Sequence, residues 1–137
     1  MPLPATSLYA ALLAGLFILL SIRVIAARRR YGVALGTPHR MVERAARAQG
    51  NFAEYVPLAL VLLGLLEGMG LPGWWLHALG TALVAARAAH AFGISREPEV
   101  LRWRTLGMGL TFAVLGVSAA ALFALALAGL QAGGGFG

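Results

Sequence analysis

Apolar residues in this chain do not alternate with polar ones. They run in long blocks separated by short charged segments. The first block extends from about Thr6 to Ala27, with no charge before Arg23. The second covers about Phe52 to Glu67, and its helix is expected to begin earlier, near Met41. The third runs from Leu71 to about Phe92 with no charge until Arg87, and the fourth from Thr105 to about Leu130 with none at all. A membrane-crossing helix needs roughly 20 mostly apolar residues. No period-two pattern persists, and the abundant Ala and Leu favour helix over strand. The pattern therefore predicts an all-α, integral membrane four-helix bundle forming one unit over residues 1–137. Its spans are expected at about 6–27, 41–68, 72–93 and 105–130, with residues 131–137 a flexible Gly-rich tail. The first block lacks a basic leading region and is too long for a secretion signal, so it reads as a retained span.

Composition sharpens this picture. Hydrophobic residues make up 60% of the 137 and charged residues 12%. Soluble domains carry about 25% charged residues, which argues against a water-soluble globule, and the same composition excludes disorder. There is no cysteine, hence no disulfide, zinc–thiolate site or thiol nucleophile. The formal charge of +6 comes from 11 basic residues, all Arg, against 5 acidic residues, all Glu. Nine of the 11 basic residues fall in two places, the other two, Arg23 and Arg87, lying near the ends of the first and third spans. Arg28, Arg29, Arg30, Arg40, Arg44 and Arg47 lie between the first and second spans, and Arg96, Arg102 and Arg104 between the third and fourth. The positive-inside rule puts both loops in the cytoplasm and both termini outside, as in a bacterial inner membrane. Trp74 and Trp75 open the third span, where an outer aromatic belt is expected. Nucleic-acid binding is not indicated, because no aromatic–basic interleaving accompanies the Arg residues.

Turn residues agree with these limits. Gly36-Thr37-Pro38 breaks the first basic loop, and Gly70-Leu71-Pro72-Gly73 makes a short outer turn. Gly64 and Gly68 form a GxxxG, and small residues recur through the fourth span at Gly107, Gly109, Ala113, Gly116 and Ala120. Such residues let membrane helices approach closely. With 18 glycines in the chain, one chance GxxxG is expected.

The chemically informative stretch is Glu43 to Pro57. On a helix Arg47, Asn51 and Glu54 stand at i, i+4 and i+7 and share a face, with Glu43 one turn earlier. A carboxylate entering the membrane faces a bundle interior or a wet cavity. Glu54 is thus either a ligand group or half of a structural pair with an Arg. Pro57 should bend the helix beside this stripe. Arg87 and His90 share a face of the third span, where snorkelling to the interface is the simpler expectation for each alone. Glu67 lies near the outer end, where interfacial solvation is the simplest account. Several Arg forks with a Glu, an Asn and aromatic hydroxyls suit a small zwitterion bearing carboxylates. No metal is expected, since His39, His77 and His90 fall on different segments.

Arg47-Ala48-Gln49-x-Asn51-x-x-Glu54-Tyr55-x-Pro57-Leu58 resembles the second-helix signature of the MAPEG family, membrane-associated proteins in eicosanoid and glutathione metabolism. Ile25-x-x-Arg28-Arg29 resembles the end of that family's first helix. Arg87-x-x-His90 stands where the family has Arg-x-x-Tyr, and Arg104-x-x-Gly107 resembles the opening of its fourth helix. The resemblance spans roughly residues 8–128 and is best with the microsomal glutathione transferase and leukotriene-forming members.

The resemblance implies a homotrimer with glutathione, as co-substrate, at the subunit interfaces near the cytoplasmic side. Arg47, Asn51, Glu54 and Tyr55 would hold its polar groups, Arg28 and Gln49 its glycine end, and Arg87 and His90 would complete the pocket. Arg104 would stabilise the thiolate, with Arg29 a second catalytic candidate. The implied function is a glutathione transferase or peroxidase acting on lipophilic electrophiles that arrive from the bilayer lipid. Two departures stand out. His90 replaces the family's Tyr, and Ile94 stands where the leukotriene-forming branch has a second Tyr, which weakens the case for leukotriene chemistry. The alternatives are a non-catalytic protein of the same fold that binds a lipid or a partner, and a small transport or scaffold protein. Arg102 competes with Arg104 for alignment; the spacing to Gly107 favours Arg104.

Overall fold

A computed structural model describes residues 2–133. Four helices follow one another: α1 (Pro4–Tyr31), α2 (Arg40–Gly68), α3 (Gly73–Ser95) and α4 (Leu101–Gly133). All four are long and apolar enough to cross a membrane. At 1.5 Å per residue α1 is about 42 Å long, against a hydrocarbon core of about 30 Å. The helices therefore outrun the apolar blocks. α1 continues through Arg28–Arg30, and α4 starts at Leu101 instead of Thr105. Hydropathy marks the part of a helix that lipid covers, not where its hydrogen-bond ladder stops. α4 also carries on through Gly133, beyond the residue at which a tail was expected, and 134–137 lie outside the described residues.

Local chemistry sets the helix ends. Pro4 sits in the first turn of α1, where a missing N–H costs nothing. The Glu67 carboxylate of α2 then accepts from the free amides of Ala5 (2.9 Å) and Thr6 (2.8 Å). It is thus a cap for another helix and is not left to interfacial water, as the sequence suggested. A carboxylate there satisfies two orphan donors and meets the positive end of the helix dipole. At the other end Gly32 takes a left-handed conformation (φ 64°) and donates to the Arg28 carbonyl. Arg28, Arg29 and Arg30 occupy this last turn, where positive charge complements the dipole. His39 caps α2, its Nδ1 accepting from Met41 N–H, while its ring stacks on Tyr31 at 3.6 Å. Pro57 lies inside α2.

α2 and α3 occupy the middle of the bundle. α1 packs on both, α4 packs on both, and α1 and α4 do not meet among the described residues. The core is a column of Leu13, Phe52, Val56, Leu63, Leu66, Leu83 and Val114. The outward faces of α1 and α4 are apolar and exposed, including Leu12, Ile18, Leu19, Phe112, Phe123 and Leu130. In a bilayer such faces suit contact with lipid.

Three glycines decide how closely the helices pack: Gly80, Gly107 and Gly93, where a Cβ would stand 2.5 Å from the Arg104 backbone nitrogen. Gly80 lies flat against the Tyr9 ring, and a Cβ there would run into it. Tyr9 Oη is in turn within 3.0 Å of His77 Nδ1 and of Thr81 Oγ1. Gly107 brings α4 against α3; a Cβ would stand 2.5 Å from the Ala86 carbonyl oxygen and 2.6 Å from His90 N. Gly64 of the GxxxG plays no such part. It meets only ordinary contacts, and Gly109 and Gly116 face open space.

Candidate functional site

The stripe on α2 divides in three dimensions. Arg47 and Glu54 are exposed on the side of the bundle, whereas Asn51 is half-buried and turned toward α3. Asn51 Oδ1 accepts a 2.7 Å hydrogen bond from Arg87 Nη2. Arg87 has no exposed surface at all, and His90 is 2% exposed. The expectation that these two snorkel is thus corrected: both point inward. The reason lies in the partners that α2 and α4 supply. Besides Asn51, Arg87 meets Thr111 Oγ1 at 3.5 Å, Met108 Sδ at 3.7 Å and His90 Nδ1 at 3.4 Å, and lies 5.7 Å from the Phe52 ring centre. Thr111 donates its own hydroxyl to the Gly107 carbonyl at 2.7 Å, which leaves its lone pairs free for the guanidinium. No described carboxylate lies within ion-pair distance of Arg87, and its Nε has no partner. The charge is held by neutral dipoles, which need careful orientation because an unpaired buried charge is costly.

One turn toward the Arg-rich end, a polar cleft of about 220 Å³ opens between α2, the end of α3 and the start of α4. Arg40, Glu43, Arg44, Arg47, Ile94, Glu99 and Arg104 line it. Arg47 and Arg104, far apart in sequence, thus share one cleft. Arg102 does not enter it and lies on a different, apolar face with Leu106 and Leu110. Within the cleft Arg104 Nη1 donates to Glu99 Oε1 at 2.6 Å, and Arg44 Nη1 lies 3.7 Å from Glu99 Oε2. The Arg104 hydrogen bond, aided by the charges of Arg44 and Arg40, holds the Glu99 carboxyl below the usual carboxylate range. Glu97 takes Arg40 at 2.9 Å.

The remaining sequence-predicted residues lie elsewhere on this chain. Arg28 Nη1 donates to the Gly36 carbonyl (2.9 Å) and so pins the loop after α1. Arg29 is exposed and lines a shallow groove with Ile25, Arg28 and Val33. Gln49 Nε2 donates to Ser21 Oγ at 3.2 Å, toward α1 and away from Arg47. Tyr55 stands edge-on to Phe112, with ring centres 5.5 Å apart. Glu54 makes no ion pair with the described residues. Arg47 and Arg104 therefore come together, as do Asn51, Arg87 and His90, while Arg28, Arg29 and Gln49 sit on another face.

Sequence reasoning missed Glu99, Arg44 and Thr111. Glu99 lies in a loop without helical period, so nothing marked its direction. Thr111 had a usable signal: it follows Gly107 by one helical turn, on the face that Gly107 opens toward α3. Among the described residues no three His or Glu side chains gather to hold a metal ion.

Comparison with known proteins agrees with the helix arrangement. The MAPEG family model matches residues 6–130. The chain is 36% identical over 111 residues to a protein named inner membrane protein YecN in Escherichia coli strain K12, a match covering 80% of this chain and 83% of that one. The YecN protein of Escherichia coli O6:H1 matches to the same degree. With nearly all of its four-helix bundle inside the family match, the chain belongs to the MAPEG family of membrane proteins.

Proposed function

We propose that this protein binds glutathione at the Arg-rich end of the bundle and activates its thiol for attack on a lipophilic electrophile, as a transferase or a peroxidase. The observation that carries this reading is the meeting of Arg47 and Arg104 in one polar cleft, above an Asn51 held in place by Arg87. Two guanidiniums there offer forks for carboxylate and thiolate. The Asn51 amide, oriented by its bond to Arg87, presents N–H groups that can donate to a carboxylate or carbonyl. Exposed Glu54 supplies an anion for an ammonium group. A free thiol has a pKa of about 8.5, and a neighbouring guanidinium favours the thiolate, the nucleophilic form.

In this reading the protein is a homotrimer. The exposure of Arg47 and Glu54 on the bundle's side, and the separation of Arg28, Arg29 and Gln49 from Arg47, both suit a site shared between two subunits. Arg28 and Gln49 of a second copy then reach the glycine end, Tyr55 borders the pocket, buried His90 supports it through Arg87, and Arg29 is a second catalytic candidate. The basic loops face the cytoplasm, the termini lie outside, and the membrane is a bacterial inner membrane, as the name of the Escherichia coli relative suggests.

One observation favours a second reading, a non-catalytic member that binds a lipid or a partner. Arg104 already has a counter-ion in Glu99, at 2.6 Å. A single titration separates the two. Detergent-solubilised protein is mixed with glutathione, and thiolate absorbance is recorded against pH. A thiolate band at neutral pH that disappears in Arg104→Ala establishes thiol activation. Glutathione binding without a band supports the silent reading. Absence of binding removes glutathione from the function.

A further inference from the structure

A second cleft at the Arg-rich end, of about 240 Å³, opens between α1, α2 and the end of α3. Its side chains include Arg23, Ala27, Arg30, Tyr31, Arg44 and Ser95, and no carboxylate lines it. That sets it apart from the Arg47–Arg104 cleft, which contains Glu43 and Glu99. Arg23 and Arg30 are exposed and pair with no described carboxylate. They stand at i and i+7 on α1, on one face and about 10 Å apart along the axis. Arg44 lies between the two clefts; its buried Nε has no hydrogen-bond partner and stands 4.0 Å from Glu97 Oε2.

Depth argues for the occupant. Counting about 20 residues of hydrocarbon crossing from the capped start of α1 brings the apolar boundary to about Arg23. Arg30 stands two turns beyond, at the level of headgroups. An arginine at this boundary snorkels toward the interface, where lipid headgroups are the anions within reach. Along the same stripe one turn deeper, Leu19 is 60% exposed and continues as an apolar track. Cations above an apolar track fit a molecule with an anionic head and acyl chains. We propose that this cleft binds the phosphate headgroup of an anionic phospholipid, with Arg23 and Arg30 as its main contacts and Arg44, Tyr31 and Ser95 as further donors.

The test uses the full chain in mild detergent, with unfolding followed by tryptophan fluorescence. Short-chain phosphatidylglycerol, phosphatidylcholine and inorganic phosphate are titrated separately. Phosphatidylglycerol should raise the melting temperature, and Arg23→Gln with Arg30→Gln should raise the half-effective concentration at least tenfold. Arg96→Gln with Arg102→Gln removes the same charge from other faces and should leave that concentration unchanged. An equal response in both double variants overturns the proposal, as does an equal response to phosphatidylcholine. Inorganic phosphate acting as well as phosphatidylglycerol overturns the lipid source in favour of a water-soluble anion. If the Arg23 variant does not fold, Arg30→Gln alone decides: a threefold or larger rise supports the site, and no change overturns it.

Discussion

Asn51 Oδ1 accepts from Arg87 Nη2 at 2.7 Å, the shortest contact of a guanidinium that has no exposed surface. This bond joins α2 to α3 directly below the Arg47–Arg104 cleft. It also fixes the orientation of the Asn51 amide, whose N–H groups can then donate to a ligand. Asn51→Ala should cost about 1–3 kcal/mol, because the buried cation loses its best acceptor. Asn51→Leu combined with Arg87→Met should cost less than the sum of the two single changes. Denaturant unfolding of the three variants in detergent measures the coupling; strict additivity would mean that the bond contributes nothing of its own.

Gly107 separates close packing from mere small-residue composition. Gly107→Ala puts a Cβ against Ala86 and His90 and should destabilise by about 1–3 kcal/mol, as overpacking does. Gly109→Ala faces open space and should be neutral or slightly stabilising, since Ala is the better helix former. Thermal unfolding of the pair, run side by side, gives the comparison.

Glu67 ties the end of α2 to the start of α1. Glu67→Ala should cost about 1 kcal/mol, typical of a lost cap. Its signature is local: the amides of Ala5 and Thr6 should exchange with solvent faster, while those in the middle of α1 should not change. Uniform loosening of α1 would contradict a capping role.

The Glu99 carboxyl is held below its ordinary value by the Arg104 hydrogen bond, so its pairing stabilises the folded state at neutral pH. That contribution is complete above the unfolded carboxylate value of about 4.3 and is lost as pH falls through the lower folded value. Glu99→Gln should therefore reduce stability at pH 7 and leave it unchanged once pH has fallen below the folded value. In the glutathione reading the same change frees Arg104 and should increase the thiolate fraction at neutral pH. Thiolate absorbance of this variant against the unaltered protein checks the second effect.

Subunit number bears on the proposed site itself. Cross-linking in mild detergent should end at a trimer. Mixed assemblies in which one subunit type carries Arg47→Ala and the other Arg28→Ala should retain some binding, because at least one interface keeps both residues intact. Complete loss in the mixture would place Arg28 and Arg47 in the same subunit's site.

The hydropathy blocks alone determined the four helices and their membrane character, because a span is a local property: about 20 apolar residues with no competing strand period. The Arg47 to Pro57 signature carried the family for the same reason, since a helical motif is written at fixed local spacing. Local sequence was silent on what faces what. Arg47 and Asn51 share a helical stripe, yet one points to a cleft and the other into the core, because α3 covers only part of that face. Arg87 and His90 resembled snorkelling residues until α2 and α4 supplied Asn51 and Thr111 as partners. Glu67 resembled a solvated charge until the start of α1 came within 3 Å of it. In each case the cost of a buried or interfacial charge was fixed by its chemistry, and only the packing of distant segments decided which dipoles offset it.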